Sequence, residues 1–398
     1  MGAESDAARV RRPHAGTRYS EDPRVVMTLD AGGTNLVFSA VQSEREIVHP
    51  VTMPAAAPTL QELLQKLLAG FRRVRDQVLV RAGSRGSMLA FAEPVAISFA
   101  FPGPADYERG IIGDLENLPV FRGGVALGPM LEEQFGTPAF ISNDGDLFAL
   151  GEAIAGFLPY VNGMLEQAGS PRRYHNLLGA TLGTGFGAGI VHDGRLLVGD
   201  NSAAGEINRL RDRLVPAWSV EEGVSVRALR RVYARESGIE LADCPNPEQI
   251  YEVGLGKREG DRSAAQRAFE EMAAVVGDAL ASVTSLVDGL VVIGGGLLAR
   301  GRRLFLKRLV REMNAPYDTP VGRALPRLES RVFDLENGEE RAAFLRGDVR
   351  EVAVPFSDRT VVYDAGKAIG VGVTRLGTSR AVSIGAYTLA LTRLDGGR

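Results

Sequence analysis

Twice in this chain a cluster of glycines separates two short apolar runs, and few architectures accommodate that arrangement twice. In the first case Val25 to Leu29 reads as a buried strand, Asp30-Ala31-Gly32-Gly33-Thr34-Asn35 follows, and Leu36 to Val41 resumes as a second strand. In the second, Leu177 to Leu182 is strand-like, Gly183 to Gly189 is glycine-rich, and Ile190 and Val191 resume before the turn His192-Asp193-Gly194. Glycine lets a backbone turn tightly and lets its N–H groups approach a ligand that a Cβ would hold away. Two such hairpins predict two related halves.

Helical patterns alternate with these strands. After Pro58, Thr59 and Glu62 have capping-box spacing, and Leu60, Leu63, Leu64, Leu67, Leu68 and Phe71 recur at helical intervals. Val95 to Ala100 reads as a strand ended by Phe101-Pro102-Gly103-Pro104, where the prolines bar further ladder pairing. Ala139 to Ser142 is a short strand that delivers Asn143 and Asp144 at its carboxyl end, ahead of a helix marked by Leu147, Leu150 and Ile154. Ser263 and Gln266 have capping spacing before a long helix that leads into the strand Leu290 to Ile293 and then Gly294-Gly295-Gly296. The alternation places the chain in the α/β class. At 398 residues and 45% hydrophobic content, it is long enough for two compact domains. Residues 1–23 lack periodicity and are expected to form a disordered tail.

Charge and cysteine usage narrow the function. Lys and Arg total 46 against 49 Asp and Glu, which leaves no general basic surface for nucleic acid. The lone Cys244 supports neither a disulfide framework nor a cysteine-rich zinc site, and it fits a reducing cytoplasm. No apolar run approaches the roughly 20 residues of a membrane span, and the first residues are charged where a signal peptide is apolar. The four histidines, His14, His49, His175 and His192, have no metal-ligand spacing.

The first glycine turn offers backbone N–H groups to phosphate oxygens, with Asp30 able to hold Mg²⁺ through water; the plain alternative is an ordinary hairpin. Gly183 to Gly189 offers a second cradle, although it lacks the Lys-Ser/Thr ending of a P-loop and does not open a helix as a dinucleotide fingerprint does. A nucleoside triphosphate lying in a cleft needs support from both walls, so the pair is more informative than either member. Asp144 supplies a carboxylate able to take the proton of an attacking hydroxyl, while the plain reading of Asn143-Asp144 is a helix N-cap. Glu206 and Glu221 follow the second cradle and are able to accept hydrogen bonds from sugar hydroxyls; taken alone they are surface glutamates.

In order and together, these segments resemble the ROK family of bacterial sugar kinases and sugar-responsive repressors. The resemblance implies a two-lobed actin/hexokinase-like fold with a cleft between lobes, residues 24–142 forming the smaller lobe, completed by a C-terminal helix over 381–398, and 143–380 the larger. It marks Asp30, Gly32, Gly33, Thr34 and Asn35 as the first phosphate motif, Gly183, Thr184, Gly185 and Gly187 as the second, and Gly294, Gly295 and Gly296 as the adenosine side. Asn117 in Asn117-Leu118-Pro119, Asn143, Glu206 in Ala204-Gly205-Glu206 and Glu221 become sugar contacts, and Asp144, followed by Gly151-Glu152, the catalytic base. Asn208-Arg209 stands where most members have Gly-His, which puts Arg209 at the sugar, and the family's cysteine-rich zinc stretch is missing, so no structural zinc is expected. Residues 334–361 have no clear counterpart and are read as an insertion in the larger lobe. The implied function is ATP- and Mg²⁺-dependent phosphorylation of a hexose, with glucose leading and fructose or an N-acetylhexosamine as alternatives. An inactive sugar sensor is the other reading. The 29 residues before Asp30 are too few for the helix-turn-helix of the family's repressors, so DNA binding is not expected. The oligomeric state is open, a homodimer being the commonest form.

Overall fold

The computed structural model describes residues 19–32, 34–84, 93–115, 119–183 and 185–396. The first sheet opens with β1 (Val26–Ala31), β2 (Asn35–Gln42), β3 (Arg45–Glu46) and β4 (Val51–Pro54). Strands β1 and β2 are antiparallel, in a register running from Val26 opposite Val41 to Ala31 opposite Leu36, so the first glycine turn closes a true hairpin. Helix α1 (Leu60–Ser84) begins where Thr59 Oγ1 accepts the Glu62 N–H. Its apolar stripe of Leu63, Leu67, Phe71, Val74 and Val78 is buried, and Phe71 meets Phe38 and Phe99 ring against ring. Strand β5 (Ala96–Ala100) then runs parallel to β1. A small meander of β6 (Ala105–Asp106), β7 (Ile111–Ile112) and β8 (Val125–Ala126) follows, then α2 (Leu127–Phe135) and β9 (Ala139–Ser142), parallel to β5.

The second half begins with α3 (Asp144–Ile154) and α4 (Phe157–Gln167), then β10 (Leu177–Leu182), β11 (Phe186–His192) and β12 (Arg195–Leu196). Helices α5 (Val220–Val224), α6 (Val226–Ser237), α7 (Pro247–Gly254) and α8 (Arg262–Val287) precede β13 (Leu290–Gly294) and α9 (Gly296–Met313). The chain continues through β14 (Tyr317–Asp318), β15 (Ala324–Leu325), β16 (Arg331–Asp334), α10 (Gly338–Arg346), β17 (Val349–Ala353), β18 (Thr360–Asp364), β19 (Ala368–Val373) and α11 (Thr378–Leu394). The second sheet has the order β12-β11-β10-β13-β19-β16, and the first runs β3-β2-β1-β5-β9. Each half is therefore an antiparallel hairpin with a short outer strand, extended on the other side by parallel strands, two in the first sheet (β5, β9) and three in the second (β13, β19, β16). The related halves expected from the two glycine turns are present as one topology used twice.

What joins the halves is a helix crossing. Helix α11 returns across the first sheet and packs on α3. Gly151 and Gly385 sit where a Cβ would strike the opposite backbone: at Gly151 it would hit the Ala381 carbonyl, at Gly385 the Leu147 carbonyl. Both positions must be glycine for helices to meet at this distance. At the next residue, the carboxylate of Glu152, fully buried, accepts the N–H groups of Phe157, Arg375 and Leu376 at 2.7, 3.3 and 3.2 Å and the Thr374 hydroxyl, which fixes the entry to α11. A buried charge is tolerated because it is satisfied on all sides.

Three local expectations need correction. Ordered chain begins before Arg24, because Tyr19 is 2% exposed, packs against Tyr387, Ala390 and Leu391 of α11, and donates to Asp395 at 3.0 Å. Helix α8 is capped by Asp261, whose carboxylate accepts the Ala264 N–H at 2.9 Å, two residues earlier than the Ser263 spacing suggested. The returning helix starts at Thr378, not 381. The stretch Asp144–Gln167 has the length and hydropathy of a membrane span, yet it is two helices, and α3 lies inside the fold with its residues from Gly145 to Ile154 buried.

Replacing Gly385 by alanine is expected to cost about 1–3 kcal/mol of stability through overpacking. Gly163→Ala, in α4 with open space around it, is expected to be neutral or mildly stabilising. Urea-unfolding midpoints of the two variants check this; equal midpoints would show that the crossing yields.

Candidate active site

Strand β9 ends by presenting Asn143 and Asp144, and the two residues divide the work. Asn143 has extended backbone and its Oδ1 accepts the Asp146 N–H at 2.6 Å, so it caps α3. Asp144 is the first helical residue, and its carboxylate stays outside the helix, accepting the Gly145 N–H at 2.9 Å. The cap and the free acid, alternatives in the sequence, are both present on adjacent residues.

The first turn of α3 lies directly on the backbone of β11. A Cβ on Gly145 would come within 2.5 Å of the Ala188 carbonyl, and one on Gly189 within 2.6 Å of Asp146 Cα. A Cβ on Gly187 would sit 2.7 Å from Thr181 Oγ1 and 3.6 Å from Asp144 Oδ1. Gly187 and Gly189 share one face of their strand by its two-residue period. Much of the glycine richness here therefore seats a helix, and Gly187, assigned to phosphate by the resemblance, lies beside the Asp144 carboxylate. The second turn proper is Gly183 to Gly185, where Glu221 from α5 accepts the Phe186 N–H at 3.3 Å and lies close against Gly185.

The acids of this crevice feel one another. Asp144 opens onto solvent, but the walls strip enough hydration to raise its pKa; the Gly145 N–H works against that, and the Asp30 charge adds to it. Asp146 is 3% exposed and is pushed up to about 8, first by burial and then by the charges of Glu206 and Asp144, with only the Ser142 hydroxyl pulling it down. One of its oxygens, Oδ1, has no hydrogen-bond partner among the described residues. Tyr107, whose hydroxyl donates to the Phe101 carbonyl at 2.9 Å, is raised by burial and then by Asp144, Asp146 and Glu206. Residues from β1, β9–α3, the Ala204-Gly205-Glu206 turn and the β6–β7 connection thus share one electrostatic neighbourhood. Asp146 was not among the sequence candidates. Its signal was a second carboxylate at the start of an otherwise apolar helix.

The remaining candidates fall around this centre. Asp30 ends β1 half-buried and lines a cavity of about 430 Å³ with Thr28, Ser39, Glu44, Arg380 and Ser383. Gly32 and Asn35 flank the first turn, where a Cβ on Gly32 would lie 3.2 Å from the Asn35 carbonyl. Gly295 has φ +99°, a Cβ there would strike the Leu182 carbonyl, and its N–H donates to Thr378 Oγ1 at 3.0 Å. The Gly294-Gly295-Gly296 turn therefore touches both the second cradle and the start of α11. Glu206 and Arg209 are exposed on a short helical turn, and Asn208 between them is half-buried, its Oδ1 without a hydrogen-bond partner among the described residues. The charges that raise Asp144 and Asp146 are all carboxylates, and Arg209 is not among the groups acting on them. Asn117, Gly33 and Thr184 lie outside the described residues. Among the described residues no group of three or more His, Cys, Asp or Glu is arranged to hold a metal ion. Asp30 alone, a hard oxygen donor beside a glycine turn, fits the way Mg²⁺ is held by one or two carboxylates and substrate phosphates.

Because folding disfavours the ionised form of Asp146, the folded state holds its proton up to about pH 8, whereas the unfolded chain releases it near the usual carboxylate value. Stability from this group is thus lost as pH rises between those limits. Asp146→Asn is expected to melt at or below the wild-type temperature at pH 5 and above it at pH 9, and a pair of melting curves that shift in parallel would remove the assignment.

The family model that matches is the ROK family, over residues 26–319. Among solved structures, a glucokinase from Parabacteroides distasonis ATCC 8503 is 51% identical and superposes with a TM-score of 0.82, covering 94% of this chain and 99% of its own. A glucokinase from Thermotoga maritima is 24% identical over 291 residues, 70% of this chain and 83% of the relative. An N-acetyl-D-glucosamine kinase from Vibrio cholerae serotype O1 is 27% identical over 282 residues, 67% and 83% respectively. The repeated sheet topology is the two-lobed actin/hexokinase-like fold expected from the sequence. With the match extending over most of its length and an acid-lined crevice built around Asp144, the chain belongs to the ROK family, as a sugar kinase.

Proposed function

We propose that the enzyme transfers the γ-phosphoryl group of ATP to a hydroxyl of a hexose, glucose first, with Asp144 as the general base. The observation that carries this reading is the position of Asp144: beside Gly187 of the second hairpin and within the field of Asp30 on the first. A base there stands between two glycine turns able to cradle phosphates, and its raised pKa brings it closer to the pH at which it must take a proton. In the proposed roles Gly32, Gly33, Thr34, Asn35, Gly183, Thr184 and Gly185 hold phosphates, Gly294 to Gly296 border the adenosine, and Asn117, Asn143, Glu206, Arg209 and Glu221 contact the sugar. The amide nitrogen of Asn143 is the part of that side chain left over from capping. Asp30 would hold Mg²⁺ through water, and the ion, when bound, neutralises charge on the transferring group.

The two sheets are taken as the two lobes, residues 24–142 with α11 and 143–377, with closure around sugar and nucleotide excluding water as a competing nucleophile. Glucose is supported by the 51% identical glucokinase, and N-acetylglucosamine by the Vibrio relative. The exchange of the family's usual Gly-His for Asn208-Arg209 makes the choice an experimental one. The cytoplasm is the compartment proposed, on the single buried thiol.

Asp144→Asn is expected to lower kcat by about 10²–10⁴-fold with sugar affinity largely kept. Coupled turnover assays beside sugar titrations measure both, and near-normal turnover would remove Asp144 as the base. Asp30→Ala is expected to raise the KM for Mg·ATP more than that for sugar; equal rises would count against its place on the phosphate side. A panel of glucose, fructose, N-acetylglucosamine and N-acetylmannosamine with ATP orders the substrates.

A further inference from the structure

The segment between β16 and β19, most of which the sequence reads as an insertion, holds α10 and the hairpin β17–β18, and this hairpin has an unusual surface. All five residues of β17 and the first four of β18 are exposed, so neither face of the ribbon rests on the core. Val349, Val352, Val361, Val362 and Tyr363 are all at least 44% exposed, and Phe356 at the tip is fully exposed. Neither outer edge pairs with another strand among the described residues. An isolated two-stranded ribbon with this much apolar surface is marginal in water.

The ribbon is nonetheless held firmly at its base. Asp364 is buried against Arg172, 2.7 Å away, and accepts the N–H groups of Asp348 and Gly366, each at 2.9 Å. The Arg172 guanidinium in turn lies over the Phe344 ring of α10 at 4.9 Å. The arm is anchored, while its free edges lack cover.

The two edges differ. Natural edge strands are guarded by charges, proline or bulges. β17 carries Arg350 and Glu351 at its centre, whereas β18 has no charge or proline from Thr360 to Tyr363. Antiparallel pairing about a two-fold axis places the central residue opposite itself. Full-length pairing through β17 would set Glu351 against Glu351. Through β18 it sets Val362 against Val362, Val361 against Tyr363 and Thr360 against Asp364, with no like charges opposed and β-branched and aromatic residues paired. The tip, with Phe356, then reaches the base of the other ribbon. From Asp348 to Asp364 there are four carboxylates and two arginines, a balance that anionic lipid or nucleic acid would repel.

We propose that β18 is the homodimer contact of this enzyme, two copies joining their ribbons into one four-stranded antiparallel sheet, β17-β18-β18-β17. The natural Cys244 is buried, so an introduced cysteine reports the contact with little background. Val362→Cys, mildly oxidised, is expected to give a disulfide-linked dimer reversed by reductant, whereas Val349→Cys on the far strand gives none. Val362→Lys, which faces like charges across the axis, is expected to abolish the wild-type dimer at micromolar concentration in sedimentation, with the far-UV spectrum unchanged. The contact is refuted by a monomeric wild type, by a dimer that Val362→Lys leaves intact, or by equal cross-linking at both cysteines.

Discussion

The meeting of α3 and α11 at Gly151 and Gly385 sets the rest of the molecule. Two helices brought to backbone contact join the middle of the chain to α11, so the sheet of the first half is covered by a helix that follows every strand of both sheets in the sequence. α3 carries Asp144 at one end and Glu152 at the other, and Glu152 ties down the approach to α11. The start of α11, through Thr378, in turn holds Gly295. The position of the acid and that of the third glycine turn are thereby coupled through a single rigid helix about 16 Å long.

The crevice crowds its acids: the Asp30 charge adds to the raised pKa of Asp144, and the charges of Glu206 and Asp144 add to that of Asp146. Burial dominates the shifts of Asp144 and Asp146, and the neighbouring charges only add to it. Such crowding is what a site for a cationic cofactor and a proton acceptor demands, and titratable groups displaced from their ordinary values cluster at such sites. The close seating of α3 on Gly187 and Gly189 leaves the first turn of the helix no room to move away from that repulsion.

Much of this was legible in the residues. Ala139–Ser142 and Leu177–Leu182 were found at their true bounds because short apolar runs end sharply at polar residues or glycine. The duplication followed from the two turns, and Asp144 from its place at a strand's end. The burial of Asp146 was not legible, because it depends on β11 and the Glu206 turn closing over it, contacts made between distant parts of the sequence. Nor was the need for glycine at 151 and 385, which arises only where two helices cross. Tyr19 was lost in a stretch without periodicity, since one aromatic ring suffices to anchor it to α11. The segment 334–361 reads as an insertion, but its strands were not legible, because both of their faces are wet and no alternation marks them.

The order in which the chain is synthesised meets this architecture awkwardly. The faces of β1, β5 and β9 await α11, which emerges from the ribosome after every strand of both sheets, so the nascent first half exposes an unclad apolar surface throughout translation of the second. The first sheet is therefore expected to complete its packing only after α11 has been made, later than the strands of the second sheet.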